Sequence, residues 1–86
     1  MRIIFTHSAW SDYLWFQEQD RKLVKRINQL IKETVRLPFE GIGKPERLKG
    51  DLAGYLSRRV THEHRMVYAA TESDLVIIAL RYHYRD

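Results

Sequence analysis

All four glycines and both prolines of this 86-residue chain fall between Pro38 and Gly54, and the hydrophobic period differs on the two sides of that segment. Glycine and proline are the strongest local breakers of regular structure, so their concentration divides the chain once. Upstream, Leu23, Val24, Ile27, Leu30, Ile31 and Thr34 recur at i, i+3, i+4 and i+7, the spacing of an amphipathic helix. Downstream, Tyr55–Thr61, Arg65–Ala70 and Leu75–Tyr82 read as strands, separated by the polar clusters His62-Glu63-His64 and Thr71-Glu72-Ser73-Asp74. A helical half followed by a strand half must bury its apolar faces layer on layer, which gives helices packed on a sheet.

The remaining elements follow from local signals. Arg2–Phe5 is a short strand. Ser8 can cap a first helix carrying Trp10, Tyr13, Leu14 and Phe16, and Asp20 a second one, with a break near Gln19 between them. Leu37-Pro38 ends the second helix, because a residue before proline is pushed out of the α region. Arg47-Leu48-Lys49 is a candidate for one extra short strand, and the run LVIIAL, apolar on both faces, suits a central strand. The expected fold is α+β, in the order β-α-α-β-β-β: an antiparallel sheet with two N-terminal helices on one face. No repeat or low-complexity tract appears, and 86 residues suffice for one domain, 1–86, with one core.

Composition removes several classes of function. With no cysteine, the chain has no disulfide, thiolate zinc site, iron–sulfur cluster or cysteine nucleophile. The first ten residues, MRIIFTHSAW, lack the apolar run of a signal peptide, and no stretch approaches the ~18 apolar residues of a membrane span. A cytoplasmic protein without a membrane partner is expected. His62 and His64 sit two apart as strand ligands can, but they lack a third ligand nearby, so no metal is assigned. The formal charge of +4 is ordinary for a small domain. Its distribution is more telling: residues 44–65 carry six basic side chains against three acidic ones. Arginine, suited to bidentate contacts with phosphate, outnumbers lysine ten to five.

Hairpin register gathers the charged residues. A turn at 62–64 puts Arg59 beside Arg65, and a turn at 71–74 puts Arg65 across from the chain near Leu80 or Arg81. One end of the sheet thus collects Arg58 or Arg59, Arg65, Arg81 and the terminal His83-Tyr84, with Lys44, Glu46 and Lys49 of the Gly/Pro segment facing them. A one-residue slip would exchange faces. Such a set suits cleavage of RNA by its own 2′-hydroxyl. That reaction needs a base, cations for the charge on the phosphorane, and an acid for the 5′-oxygen. Glu46 is the only acidic side chain in the run Lys44–Lys49 and is the candidate base. Arg59 and Arg65 are candidates to hold the phosphate, and His83 is the candidate acid. Tyr84 could stack on a base or supply a hydroxyl. A carboxylate among cations is a weaker base, so an electrostatic or positioning role for Glu46 stays open. Each of these residues also has a plain structural use, as a surface ion pair, a strand cover or a terminus.

The segments PFEGIGKPERLKG, GYLSRRV, EHRMVYA and the ending RYHY resemble the YoeB toxins of the RelE/ParE superfamily. The stretch WSDYLWFQEQDRKLVKRINQLI is similar to that family's first two helices, so the resemblance runs from about Ile4 to Tyr84. It implies a RelE-like microbial RNase fold and a metal-independent endoribonuclease without cofactor. It implies an mRNA interferase that cuts messenger in the ribosomal A site and so inhibits translation. By motif, Glu46 of GKPE corresponds to the general base and Arg65 of HR-x-VY to the phosphate ligand. His83 corresponds to the acid and Tyr84 to an active-site aromatic. Lys49 and Arg59 match supporting basic positions, and Lys44, Arg58 and Arg81 complete the expected substrate-binding set. The implied partners are a YefM-like antitoxin, the ribosome with its mRNA, and a second copy of the chain as a homodimer. Operator DNA is expected to be bound by the toxin–antitoxin complex mainly through the antitoxin. Two features depart from the family pattern: the added Arg85-Asp86 after YHY, and Leu56 where many relatives carry an aromatic. The competing readings are a ParE-like gyrase poison, which would not need Glu46, Arg65, His83 and Tyr84 together, and a weakened RNA- or antitoxin-binding module.

Overall fold

The computed structural model describes residues 1–81. Its elements are β1 (Arg2–Phe5), α1 (His7–Gln19), α2 (Arg21–Arg36), β2 (Glu46–Arg47), a 3-10 turn (Gly50–Leu52), β3 (Leu56–Arg59), β4 (Arg65–Ala70) and β5 (Asp74–Ala79). The strands form one sheet in the order β1-β5-β4-β3-β2, with the helices packed on one face.

Helix starts follow the hydrogen-bonding chemistry of their caps. Thr6, rather than the expected Ser8, caps α1: its hydroxyl accepts from the Ala9 N–H at 3.1 Å and donates to the Ile78 carbonyl at 3.0 Å. One side chain thereby closes the helix end and ties it to β5. Asp20 caps α2 as expected, accepting from the Leu23 N–H, while its own N–H closes α1 on the Phe16 carbonyl at 2.8 Å. A single residue therefore links the two helices. The stripe Ile27, Leu30, Ile31 and Thr34 is buried, and Thr34 satisfies its hydroxyl on the Leu30 carbonyl at 2.6 Å.

The core lies between that stripe and the inner face of the sheet. Phe16, Ile27, Leu30, Met66, Tyr68, Leu75 and Ile77 are fully buried in it. Alternation along the strands puts Leu56, Arg58, Met66 and Tyr68 on the helix side, leaving Ser57, Arg59, Arg65 and Val67 on the other face. Val67 lies opposite Ala79, and the β4–β5 register shifts between Val67 and Tyr68, a local irregularity of the bulge kind.

The α+β class, the two helices and the three antiparallel hairpin strands agree with the reading of the sequence; the sheet as a whole is mixed. β1 pairs parallel with β5, Arg2 opposite Asp74 through Phe5 opposite Ile77. Parity is the reason. The chain reverses at each junction, and the two-residue β2, antiparallel to β3 through Glu46–Ser57 and Arg47–Leu56, adds one reversal. Counting that strand turns an antiparallel β1 into a parallel one. Among the described residues, no helix is long and apolar enough to cross a membrane.

Candidate active site

The face of the sheet away from the helices carries an ion pair built from two strands. Arg65 opens β4 and Glu46 opens β2, with β3 between them. The register sets Glu46 opposite Ser57 and Arg59 opposite Arg65. The Arg65 guanidinium donates through Nη2 to Glu46 Oε1 at 2.8 Å and through Nη1 to Ser57 Oγ at 2.8 Å. Its side chain is only 13% exposed, whereas that of Glu46 is 54% exposed. A cation with its stem covered and its orientation held by two acceptors is preorganised. Guanidinium has five N–H donors in a fixed fork, and two serve these contacts. The others suit the oxygens of an anion arriving from the Glu46 side.

The Gly/Pro segment presents Glu46 by a tight turn. Gly43 has φ +82°, and a Cβ there would lie 2.9 Å from Leu30 Cδ2 and 3.1 Å from Arg58 Cβ. Glycine is required both by the left-handed backbone and by the closeness of α2. Its carbonyl accepts from the Arg59 N–H at 2.7 Å, so the turn is bonded to the end of β3. Lys44 follows at φ 50°, an uncommon value for a residue with a side chain, and turns the chain into Pro45-Glu46.

The predicted site residues separate into five groups. Glu46 and Arg65 meet directly. Lys44, Lys49 and Arg59 are exposed, Arg59 across the ladder from Arg65 and the two lysines flanking Glu46 in sequence. They set a positive field without touching the ion pair in any described contact. Arg58, expected to bind substrate, is corrected: it is fully buried on the helix side. It donates to the carbonyls of Leu37, Glu40 and Ile42 and to Tyr68 Oη, so it holds the 37–43 loop together. Strand alternation is the cause, since neighbours in a strand point to opposite faces. The Arg81 guanidinium lies over the Trp15 ring of α1, 3.8 Å from the centroid. His83 and Tyr84 lie outside the described residues.

Ser57 is the member that residue chemistry did not flag. It is 1% exposed, and its hydroxyl orients Arg65. The signal was available in register: once 46–47 is paired as a strand, residue 57 stands between Glu46 and the β4 residues. Of the two histidines of the β3–β4 turn, His64 packs its ring edge-on against Phe16, centroids 5.1 Å apart, and meets Glu63 at 3.0 Å. It serves the core.

The profile of a family described as YoeB-like toxins of bacterial type II toxin-antitoxin systems matches residues 5–84. The chain belongs to this family. Toxin YoeB of Synechocystis is 59% identical over 85 residues, covering 99% of each chain. The structure of a YoeB/ParE toxin from Agrobacterium tumefaciens superposes with a TM-score of 0.94 at 50% identity, over 98% of this chain and 100% of that one. YoeB of Staphylococcus aureus, solved as a dimer, gives a TM-score of 0.91 at 48% identity over 98% of each chain. The heterotetrameric YoeB–YefM complex of that organism gives 0.89 at 48% identity, again over 98% of each. The family match covers residues 5–84 and so includes Glu46, Ser57 and Arg65, which the sheet register brings together.

Proposed function

We infer that the chain is a ribosome-dependent mRNA interferase: it cleaves messenger in the ribosomal A site by attack of a ribose 2′-hydroxyl, without metal. The observation that carries the reading is the Arg65 guanidinium held between Glu46 and Ser57 on the sheet face away from the helices. In the free protein Glu46 and Arg65 satisfy one another. A phosphate entering beside Arg65 takes over its fork, and the Glu46 oxygen is released to accept the 2′-hydroxyl proton. The 2′-oxygen attacks phosphorus, and Arg65 carries the charge that grows on the non-bridging oxygens. The 5′-oxygen leaves with a proton from His83, giving a 2′,3′-cyclic phosphate and a 5′-hydroxyl. Tyr84 stacks on a base at the cut. Lys44, Lys49 and Arg59 contribute salt-sensitive contacts to the RNA backbone.

This places the activity in the cytoplasm, with the ribosome and mRNA as working partners. The Staphylococcus aureus complex supports a YefM-like antitoxin as the neutralising partner, and the dimer from that organism supports a second copy of the chain. The toxin–antitoxin complex binds operator DNA mainly through the antitoxin.

Ribosomes programmed with a defined messenger test the reading by mapping of new 5′ ends. The parent protein is expected to cut in the A site. Glu46→Ala, Arg65→Ala and His83→Ala should each slow cutting by on the order of 10²-fold or more, with folding retained. A parent protein that binds ribosomes and leaves the messenger whole would sink the nuclease reading.

A further inference from the structure

Three strands bring one guanidinium to two acceptors of opposite character. Across the β3–β4 ladder Arg65 lies opposite Arg59 and Val67 opposite Ser57, so Ser57 is the diagonal neighbour of Arg65. Glu46 stands directly opposite Ser57 on β2. Long side chains reach diagonal neighbours, and that of Arg65 crosses β3 with Nη1 on Ser57 Oγ and Nη2 on Glu46 Oε1, both at 2.8 Å. Ser57 is 1% exposed, whereas the Glu46 side chain is 54% exposed. An anion arriving from water therefore competes with the carboxylate for the guanidinium, and the buried hydroxyl keeps its bond. Charge acts in the same direction, because a phosphate repels Glu46 and not a neutral hydroxyl.

Neutrality has a second effect. A carboxylate at position 57 would hold the guanidinium as well, but it would cancel the charge that must meet the growing charge on the phosphorane. A hydroxyl fixes the rotation of the planar fork and leaves its charge whole. Once Glu46 has let go, Ser57 is the one side chain among the described residues that still bonds Arg65. A fork held at one tip aims its remaining N–H groups, and displacement of a reacting group by about 1 Å can cost on the order of 10²-fold in rate. We propose that Ser57 is a positioning residue of the RNA-cleaving site, the fixed acceptor that keeps the Arg65 guanidinium aimed at the phosphate after Glu46 has given up its bond. This rests on the nuclease reading above, and separates an exchangeable partner of Arg65 from a permanent one.

A double-mutant cycle on programmed ribosomes tests the pivot. Ser57→Ala deletes the hydroxyl and leaves the path of Arg65 across β3 clear. It should lower kcat about tenfold and change KM less than about twofold, because the lost contact matters most when charge grows on the phosphate. In an Arg65→Ala background there is no guanidinium to aim. There the same substitution should change the cutting rate less than about twofold, in single-turnover reactions long enough to register the slow cutting of that variant. Ser57→Cys keeps the shape of the side chain but offers sulfur, a weak acceptor. It should show the same Arg65-dependent loss even if the alanine variant fails to fold. Wild-type kcat in both position-57 variants, a loss confined to KM, or an equal loss with and without Arg65 overturns the pivot; a serine that served packing alone would give the last of these. A wild-type protein that binds ribosomes without cutting overturns the nuclease reading itself and the pivot with it. Cutting that needs Glu46 and Arg65 but is indifferent to Ser57 overturns the pivot alone.

Discussion

Arg58 and Arg59 are adjacent in sequence and have opposite physical roles. Arg58 is fully buried and satisfied by three carbonyls and the Tyr68 hydroxyl, which itself donates to the Pro38 carbonyl at 2.6 Å. A buried cation is tolerated only when its donors are met, and removing it strands those carbonyls. Arg58→Ala is expected to cost about 3 kcal/mol of stability. Arg59→Ala, on the exposed face, should stay within about 0.5 kcal/mol. Urea midpoints at unchanged slope measure both, and equal losses in the two variants would contradict the assignment. The SRR motif reads as two equivalent cations followed by no instruction. Strand period says that one of them turns inward, but only the folded 37–43 loop shows why that one can be a charge.

At the scale of elements, the helices were legible because their signals are local: a stripe at helical spacing, a capping Asp20, a terminating Leu37-Pro38. The direction of β1 was not, since it depends on how many times the chain reverses before β5. Once paired, β1 is fastened at its start by Arg2 Nε to Asp74 Oδ1 at 2.7 Å, a bidentate contact across the parallel register. The hydrogen bond from Arg2, with its charge, holds the Asp74 carboxyl below the usual carboxylate range, and Arg2 is correspondingly raised. A lowered folded-state value stabilises the fold above the unfolded value of about 3.9 and ceases to do so as pH falls through the lowered one. Arg2 titrates only far into alkali and adds nothing to the acid limb. Wild type should therefore exceed Asp74→Asn in stability at neutral pH, modestly and less so in high salt, because the pair is exposed. The two should converge as pH falls through the lowered Asp74 value. Thermal melts across pH 2–7 check this, and a gap that widened on acidification would reverse the sign.

Across the whole molecule, two surfaces face away from each other in chemistry. The sheet face away from the helices bears the Glu46–Arg65 pair. The other surface, on the α1–α2 side of edge strand β1, is a groove of about 590 Å³ lined by Ile3, Phe5, Trp10, Tyr13, Ile31 and Val35 among others. Trp10 and Tyr13 stack there at 5.7 Å, with Trp10 48% and Ile3 49% exposed. Contiguous exposed apolar surface of this kind is shared by protein contacts and ligand grooves. The fold divides the aromatic residues of α1 between core and surface: Phe16 turns inward while Trp10 stays exposed.

By itself the sequence determined the α+β class, the two helices with the Asp20 cap, the charge gathered between Lys44 and Arg65, and the family through its motifs. These depend on spacing and composition within short windows, where periodicity and capping act directly. Tertiary structure alone decided that Arg58 is internal, that Ser57 orients Arg65, that Arg81 rests on Trp15 and that β1 runs parallel to β5. Each of those depends on register and on contacts between residues far apart in the chain. A single added residue in a turn, or one short strand, reverses which face a side chain sees.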